Sequence, residues 1–192
     1  MAHKDKEKWN RKFSDMPDVL APRPPSELLV RFVHEVSGKK ALDLACGGGR
    51  HTLFLQEQGF EVDAVDISEV ALSRLASKVD PSKVRLIEAD LDDFVPERAG
   101  YDLIVKTNYL DRALIQRAKE ALKKGGIFII ETYMEDPENE KRDSNPDFLL
   151  KVDELKQMFD EGFEILAYET FWNETYEKYR MKKAAIVVRK MV

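Results

Sequence analysis

Leu42-Asp43-Leu44-Ala45-Cys46-Gly47-Gly48-Gly49-Arg50 decides how this chain is read. An apolar run of strand length, Ala41–Ala45, passes directly into three consecutive glycines, and a helical pattern, Thr52–Gln58, follows. Three of the nine glycines in the chain fall at this one junction. Lacking side chains, they permit positive φ and let N–H groups at a helix start face a bound molecule. The stretch predicts a strand, a turn lying against a ligand, and a helix.

Downstream the pattern repeats. Val62–Val65 is apolar and ends on Asp66, about 20 residues past the glycines, where an acidic side chain can accept hydrogen bonds from ribose hydroxyls. Val84–Ala89 runs into Glu88-Ala89-Asp90-Leu91-Asp92-Asp93-Phe94, which offers a carboxylate for an adenine amino group and apolar residues to sandwich the ring. Leu103–Val105, Ile127–Glu131, Phe163–Phe171 and Ala184–Val188 complete seven strand-like runs. Helical spacing recurs at Glu69–Lys78, Ala113–Lys123 and Val152–Phe159. Alternation of this kind predicts an α/β fold with a doubly wound, mostly parallel sheet covered on both faces. Only the polar stretch Trp172–Lys183 separates the last two runs, so they are expected to form an antiparallel hairpin at the sheet edge. Ligands of such sheets sit beyond the carboxyl ends of the strands, where the strand order reverses.

One domain is expected, with residues 1–37 as an N-terminal helical cap and 38–192 as a Rossmann-like core. Ser26 and Ser68 stand where helix N-caps belong, and Gly59 and Gly125-Gly126 follow helical runs that they can end. Met16–Pro25 and Met134–Pro146, rich in proline and charge, are candidate lids.

Composition narrows the function. With 43% hydrophobic and 35% charged residues, the chain has no apolar run long enough to span a bilayer, and its charged start, Met1 to Lys12, argues against secretion. A cytoplasmic protein, monomeric or homodimeric and without a membrane partner, is expected. Cys46 is the single cysteine, and with only His3, His34 and His51 beside it no metal site is expected. His34 and His51 read as surface or core-edge residues. A net charge of -5 disfavours nucleic acid as the main partner, since gripping phosphates takes clustered Lys and Arg. Arg50 opposes the dipole of the helix it starts, which suggests pairing with a ligand carboxylate.

At these residues the chain resembles the class I methyltransferases, from about Leu42 to Val188. Asp43 before the glycine turn, Asp66, the acidic-apolar end of the third strand and the terminal hairpin all match that family. Within it the chain is similar to the small bacterial tellurite-resistance methyltransferases, through Trp9-Asn10-Arg11, Cys46-Gly47-Gly48-Gly49-Arg50, Asn108-Tyr109-Leu110-Asp111-Arg112, Glu131-Thr132 and Asn145-Pro146-Asp147-Phe148-Leu149-Leu150. The resemblance implies S-adenosylmethionine as cofactor and a small-molecule methyl acceptor. It implies cofactor contacts from Asp43, Ala45, Cys46, Gly47 and Arg50 around the turn, and from Asp66, Ile67, Asp90, Leu91 and Asp92 at the next two strand ends. Lys106 and Asn108 would join them from the fourth strand, and Trp9 and Arg11 from a segment that closes over the cofactor. Candidate catalytic residues are Tyr109, Glu131, Tyr133 and Arg180, with the Glu177–Arg180 segment as a source of a base. Two departures matter. Ala45 replaces the first motif glycine, which implies a chain that leaves positive φ to Gly47. Glu177-Lys178-Tyr179-Arg180 stands where tellurite enzymes carry a His and Arg, which argues against tellurite as substrate. The alternatives are an RNA or protein acceptor, or a binder that does not turn over.

Overall fold

The structure is a computed structural model describing residues 2–159 and 161–192. Seven strands form one sheet in the order β3-β2-β1-β4-β5-β7-β6. They are β1 (Lys40–Leu44), β2 (Glu61–Asp66), β3 (Val84–Glu88), β4 (Tyr101–Thr107), β5 (Leu122–Tyr133), β6 (Phe163–Trp172) and β7 (Lys182–Lys190). The first five are parallel, whereas β7 runs antiparallel to both β5 and β6. The expected fold class and terminal hairpin are both present.

Residue alternation explains the two-sided core. Leu42, Leu44, Ile104, Phe128 and Ile130 point to one face, against α5 (Arg112–Ala121) and α6 (Glu154–Gln157). Ala41, Leu103, Val105, Ile127 and Ile129 point to the other, against α2 (Glu27–Phe32), α3 (Arg50–Glu57) and α4 (Glu69–Ala76). Because both faces are covered, these strands are apolar at nearly every position. β1 pairs with β2 on one side and β4 on the other, so the order reverses there and a crevice opens above its carboxyl end.

Helix α1 (Ala2–Asp15) lies across α4 and the end of β3. Lys6 reaches Glu69 and Glu88, Asn10 Nδ2 donates to Glu69 at 3.1 Å, and Ser68 Oγ donates to Asn10 at 2.7 Å. Phe13, Leu20 and Ala71 form a small apolar cluster beneath it.

Several boundaries differ from expectation. Ser68 caps α4 by accepting from Ala71 N; Ser26 holds the N-cap position of α2, where its carbonyl accepts from Val30 N at 3.1 Å, but its side chain makes no cap bond. Its hydroxyl is drawn away by a buried carboxylate instead, donating to Glu131 at 2.7 Å. Gly59 takes φ +82° after α3, as expected of a helix end. Gly125, at φ +78°, does not end α5, which stops at Ala121; it lies within β5, in the stretch where the pairing with β4 jumps from Leu122 to Ile127. The Val152–Phe159 pattern yields only one turn, α6, because Asp153 sits at φ +58° and delays the helix start.

Candidate functional site

Above β1 the backbone turns sharply three times. Ala45, Gly47 and Gly49 have φ of +58°, +50° and +80°. Ala45 thus corrects the expectation that it would avoid the left-handed region. The reversal is required immediately at the strand end, where Cys46 N donates to Val65 O at 3.0 Å, and alanine is small enough to accept it. A Cβ added to Gly47 would meet nothing within 4 Å, so the turn faces open space there. At Gly49 it would lie 2.3 Å from Leu75, so absence of a side chain is a packing requirement.

Asp66 braces this turn. Its two oxygens accept from Gly47 N at 2.8 Å and Ser68 N at 2.9 Å, and burial raises its pKa. Each oxygen keeps a second lone pair for another donor. Ile67 beside it is half-buried, and Leu91 is buried. Asp90 folds its own loop by accepting from Asp92 N at 3.0 Å, while Arg117 donates to the carbonyls of Leu91 and Phe94. Tyr109 OH donates to Asp92 at 3.3 Å, beside a hollow of about 390 Å³ also lined by Arg112 and Phe148.

Beneath the turn, Asp43 accepts from Thr52 Oγ at 2.6 Å and is pushed up to about 7 by burial. Cys46 is buried too, which raises its thiol well above 9.0 and disfavours the thiolate. His51, expected near the surface, is 3% exposed and kept neutral by burial. Its Nε2 accepts from Ser26 N at 3.2 Å, tying the N-terminal segment to α3. On the opposite face of β4, Lys106 is fully buried and pulled down to about 7 by burial; its ammonium donates to Tyr109 O. Asn108 is exposed, with φ +57°.

A charged cluster lies where β5 and β7 meet α3. Tyr133 and Lys183 are paired across the strands, with Glu131 two residues along on the same face. Lys183 Nζ reaches Glu131 at 3.3 Å, Glu174 at 2.9 Å and Glu177 at 3.3 Å. Burial disfavours its charge, but these carboxylates outweigh burial and raise its pKa. Tyr133 OH donates to Glu177, and burial followed by this bond raises the phenol. Burial likewise raises Tyr109, so both phenols stay protonated as donors.

Of the sequence candidates, the turn residues, Asp66, Ile67, Leu91, Asp92, Tyr109, Glu131 and Tyr133 gather around the strand ends. Two do not. Arg11 is exposed beside Lys8 and Asp15 on the outer face of α1, opposite the Lys6 and Asn10 that grip the core. Arg180 stacks on Trp172 at 3.5 Å and pairs with Glu138. Trp9 packs on Phe13 with ring centroids 5.5 Å apart. Sequence reasoning missed Ser26, Glu174 and Lys183 as parts of the site. A lysine opening the apolar run Ala184–Val188, on the same alternation as Ala185 and Val187, was the available signal.

This geometry has known counterparts. Residues 41–126 match the methyltransferase domain family, across the glycine turn and the first strand ends. The crystal structure of TehB from Haemophilus influenzae superposes with a TM-score of 0.75 at 24% identity, covering 86% of this chain and 62% of that one. Over residues 41–126 the chain resembles a methyltransferase domain, and its seven-stranded fold is that of the TehB structure. In sequence, the probable S-adenosyl-L-methionine-dependent methyltransferase TehB of the same organism is 27% identical over 81% of this chain and 58% of its own length. An uncharacterized methyltransferase of Synechocystis is 30% identical over 48% of this chain and 46% of its own. This chain spans about half the length of the first curated relatives it matches. Others are named for targets or pathways as different as a ribosomal protein, ribosomal RNA and ubiquinone biosynthesis.

The residues present fit S-adenosylmethionine, the cofactor for which the TehB relative is named. Arg50 Nη2 is buried with no hydrogen-bond partner among the described residues, so the site holds a cation donor suited to a carboxylate. The open space over Gly47 leaves room for close backbone approach. No described helix is long and apolar enough to cross a membrane.

Proposed function

We propose that this methyltransferase transfers a methyl group from S-adenosylmethionine to a small-molecule nucleophile in the cytoplasm. The observation that carries the small-acceptor reading is the cover over the crevice. The backbone of Leu20 passes so close to the glycine turn that a Cβ on Gly48 would lie 3.2 Å from its carbonyl. Six residues on, Ser26 is tied down to both His51 and Glu131. Opposite, the Met134–Pro146 segment and the β6–β7 connection hold each other: Asn139 accepts from Lys182 N at 2.7 Å and Glu140 from Arg180 N at 2.7 Å. An acceptor entering between these covers is small. The net charge of -5 also disfavours RNA.

When bound, the cofactor supplies an activated methyl on a sulfonium, with a neutral leaving group. The chain's own work is to hold, align and exclude water. Arg50 takes the carboxylate end, Asp66 the ribose hydroxyls, Asp90 the adenine amino group, and Ile67 and Leu91 flank the ring. Glu177, bound to Tyr133, would receive a proton from an acceptor that carries one; a soft anionic acceptor needs no base. Glu131 is committed to Ser26 and Lys183.

Calorimetric titration with S-adenosylmethionine and S-adenosylhomocysteine, followed by product assays across thiols, amines, chalcogen oxyanions, RNA and protein, tests this reading. Binding with turnover of a small acceptor is expected. Absence of binding at millimolar ligand removes the cofactor assignment, and methylation of RNA or protein alone removes the small acceptor.

A further inference from the structure

Arg50 is a cation with an incomplete set of partners. Its side chain is 16% exposed, its Nη1 lies 3.6 Å from Glu174 Oε1 and 3.5 Å from Pro24 O, and its Nη2 is buried and unpartnered. A guanidinium offers five donors in a fixed fork, and a carboxylate satisfies two at once when it approaches in plane. Glu174 does not do so, because its other oxygen is held 2.9 Å from Lys183 Nζ. Glu174 is therefore shared between two cations on different elements: Arg50 at the glycine turn, and Lys183 at the start of β7. Lys183 passes the connection on to Glu177, which carries the Tyr133 hydroxyl.

We propose that Glu174 is a positioning residue that competes with the carboxylate end of the cofactor for Arg50, so that the β6–β7 connection senses whether that carboxylate is in place. This rests on the reading of Arg50 as the carboxylate holder. With a ligand carboxylate on Arg50, Glu174 gives up its loose pair and turns wholly to Lys183. Lys183 then has a stronger claim on Glu174 and a weaker one on Glu177, which sits at the acceptor side. Glu174 suits this relay because it is anionic in place. Burial acts to raise its pKa, but contacts with Glu177 and with the Lys183 ammonium 2.9 Å away outweigh burial and lower it.

The test compares two ligands that differ at the amino-acid end: S-adenosylhomocysteine, which carries the carboxylate, and 5′-methylthioadenosine, which lacks it. Calorimetry is run on the wild type, Glu174→Gln, Arg50→Met and the double variant. Glu174→Gln is expected to tighten S-adenosylhomocysteine binding about two- to fivefold, the range of a partly exposed ion pair, and to leave 5′-methylthioadenosine unchanged. In the Arg50→Met background the same substitution is expected to change neither ligand. The unchanged 5′-methylthioadenosine affinity shows each variant folded, and no merely structural role would separate the two ligands. Two results overturn the relay. If Arg50→Met weakens S-adenosylhomocysteine selectively but Glu174→Gln has no selective effect, Glu174 does not compete and the reading of Arg50 survives. If Arg50→Met weakens both ligands equally or neither, the carboxylate assignment falls and the relay with it.

Discussion

Lys183 Nζ lies 3.3 Å from Glu131 Oε1 with the two side chains 0% and 4% exposed, so this pair has almost no solvent to screen or replace it. Removing one member leaves a buried charge uncompensated, which typically costs about 3–5 kcal/mol. Lys183→Met is expected to destabilise the protein by that amount. Adding Glu131→Gln to Lys183→Met should recover part of the loss, since an amide still accepts from Ser26. Urea denaturation of the three proteins checks both points. A loss below about 1 kcal/mol for Lys183→Met would mean that water enters the cluster freely.

Lys106 makes stability rise with pH, whereas an exposed lysine of unshifted pKa gives no such dependence. Burial lowers it to about 7, against 10.5 in an unfolded chain. Between those values the unfolded chain binds more protons, so stability rises with pH, by at most about 1.4 kcal/mol per unit. Lys106→Met removes this dependence. At pH 7 the variant should be the more stable protein, and by pH 9 the difference should have narrowed or reversed. Guanidinium midpoints at pH 7, 8 and 9 measure it; a constant difference would show that Lys106 keeps its charge when folded.

The strand pattern and the terminal hairpin were legible because they follow from periodicity, and burial on both faces leaves each parallel strand a continuous apolar run. Asp66 and the glycine turn were legible because local backbone needs select those residue types at one junction. The Lys183 cluster was legible only in part, through Glu131 and the Glu177–Arg180 segment, and not as a cluster. Its members, Ser26, Glu131, Glu174, Glu177 and Lys183, come from distant parts of the chain, and only the β5–β7 register brings them together. Ser26 shows the same limit locally: next to Glu27-Leu28-Leu29 it reads as a helix cap, and a carboxylate from another element claims its hydroxyl. Arg11 adjoins Trp9 and Asn10 in sequence, yet helical geometry turns it to the outer face.

Ala45 carries strain that a glycine would not. Its φ of +58° costs an alanine about 1–2 kcal/mol, and the greater freedom of glycine in the unfolded chain returns about 0.5–1 kcal/mol of that. Ala45→Gly is therefore expected to be neutral or stabilising by up to about 1 kcal/mol. Ala45→Val should lose about 2 kcal/mol or more, because β-branching adds to the left-handed penalty. Thermal melts of both variants decide the matter. Equal tolerance of valine and glycine would place Ala45 outside the left-handed region.

Asp66 separates a structural from a ligand-binding duty. Two backbone amides already occupy one lone pair on each of its oxygens, which fixes the carboxylate in the turn before any ligand arrives. A ribose diol approaching the remaining lone pairs would meet acceptors that need no rearrangement. Asp66→Ala is expected to weaken S-adenosylhomocysteine binding by roughly 1–3 kcal/mol, the cost of leaving polar partners unsatisfied. Asp66→Asn should fall between, since its amide oxygen keeps one acceptor while its NH2 confronts an N–H donor. Adenosine serves as the control ligand. It has the ribose without the amino-acid end, so a ribose contact predicts equal losses for adenosine and S-adenosylhomocysteine. Were only S-adenosylhomocysteine affected, Asp66 would be acting through the turn and Arg50 rather than through the sugar.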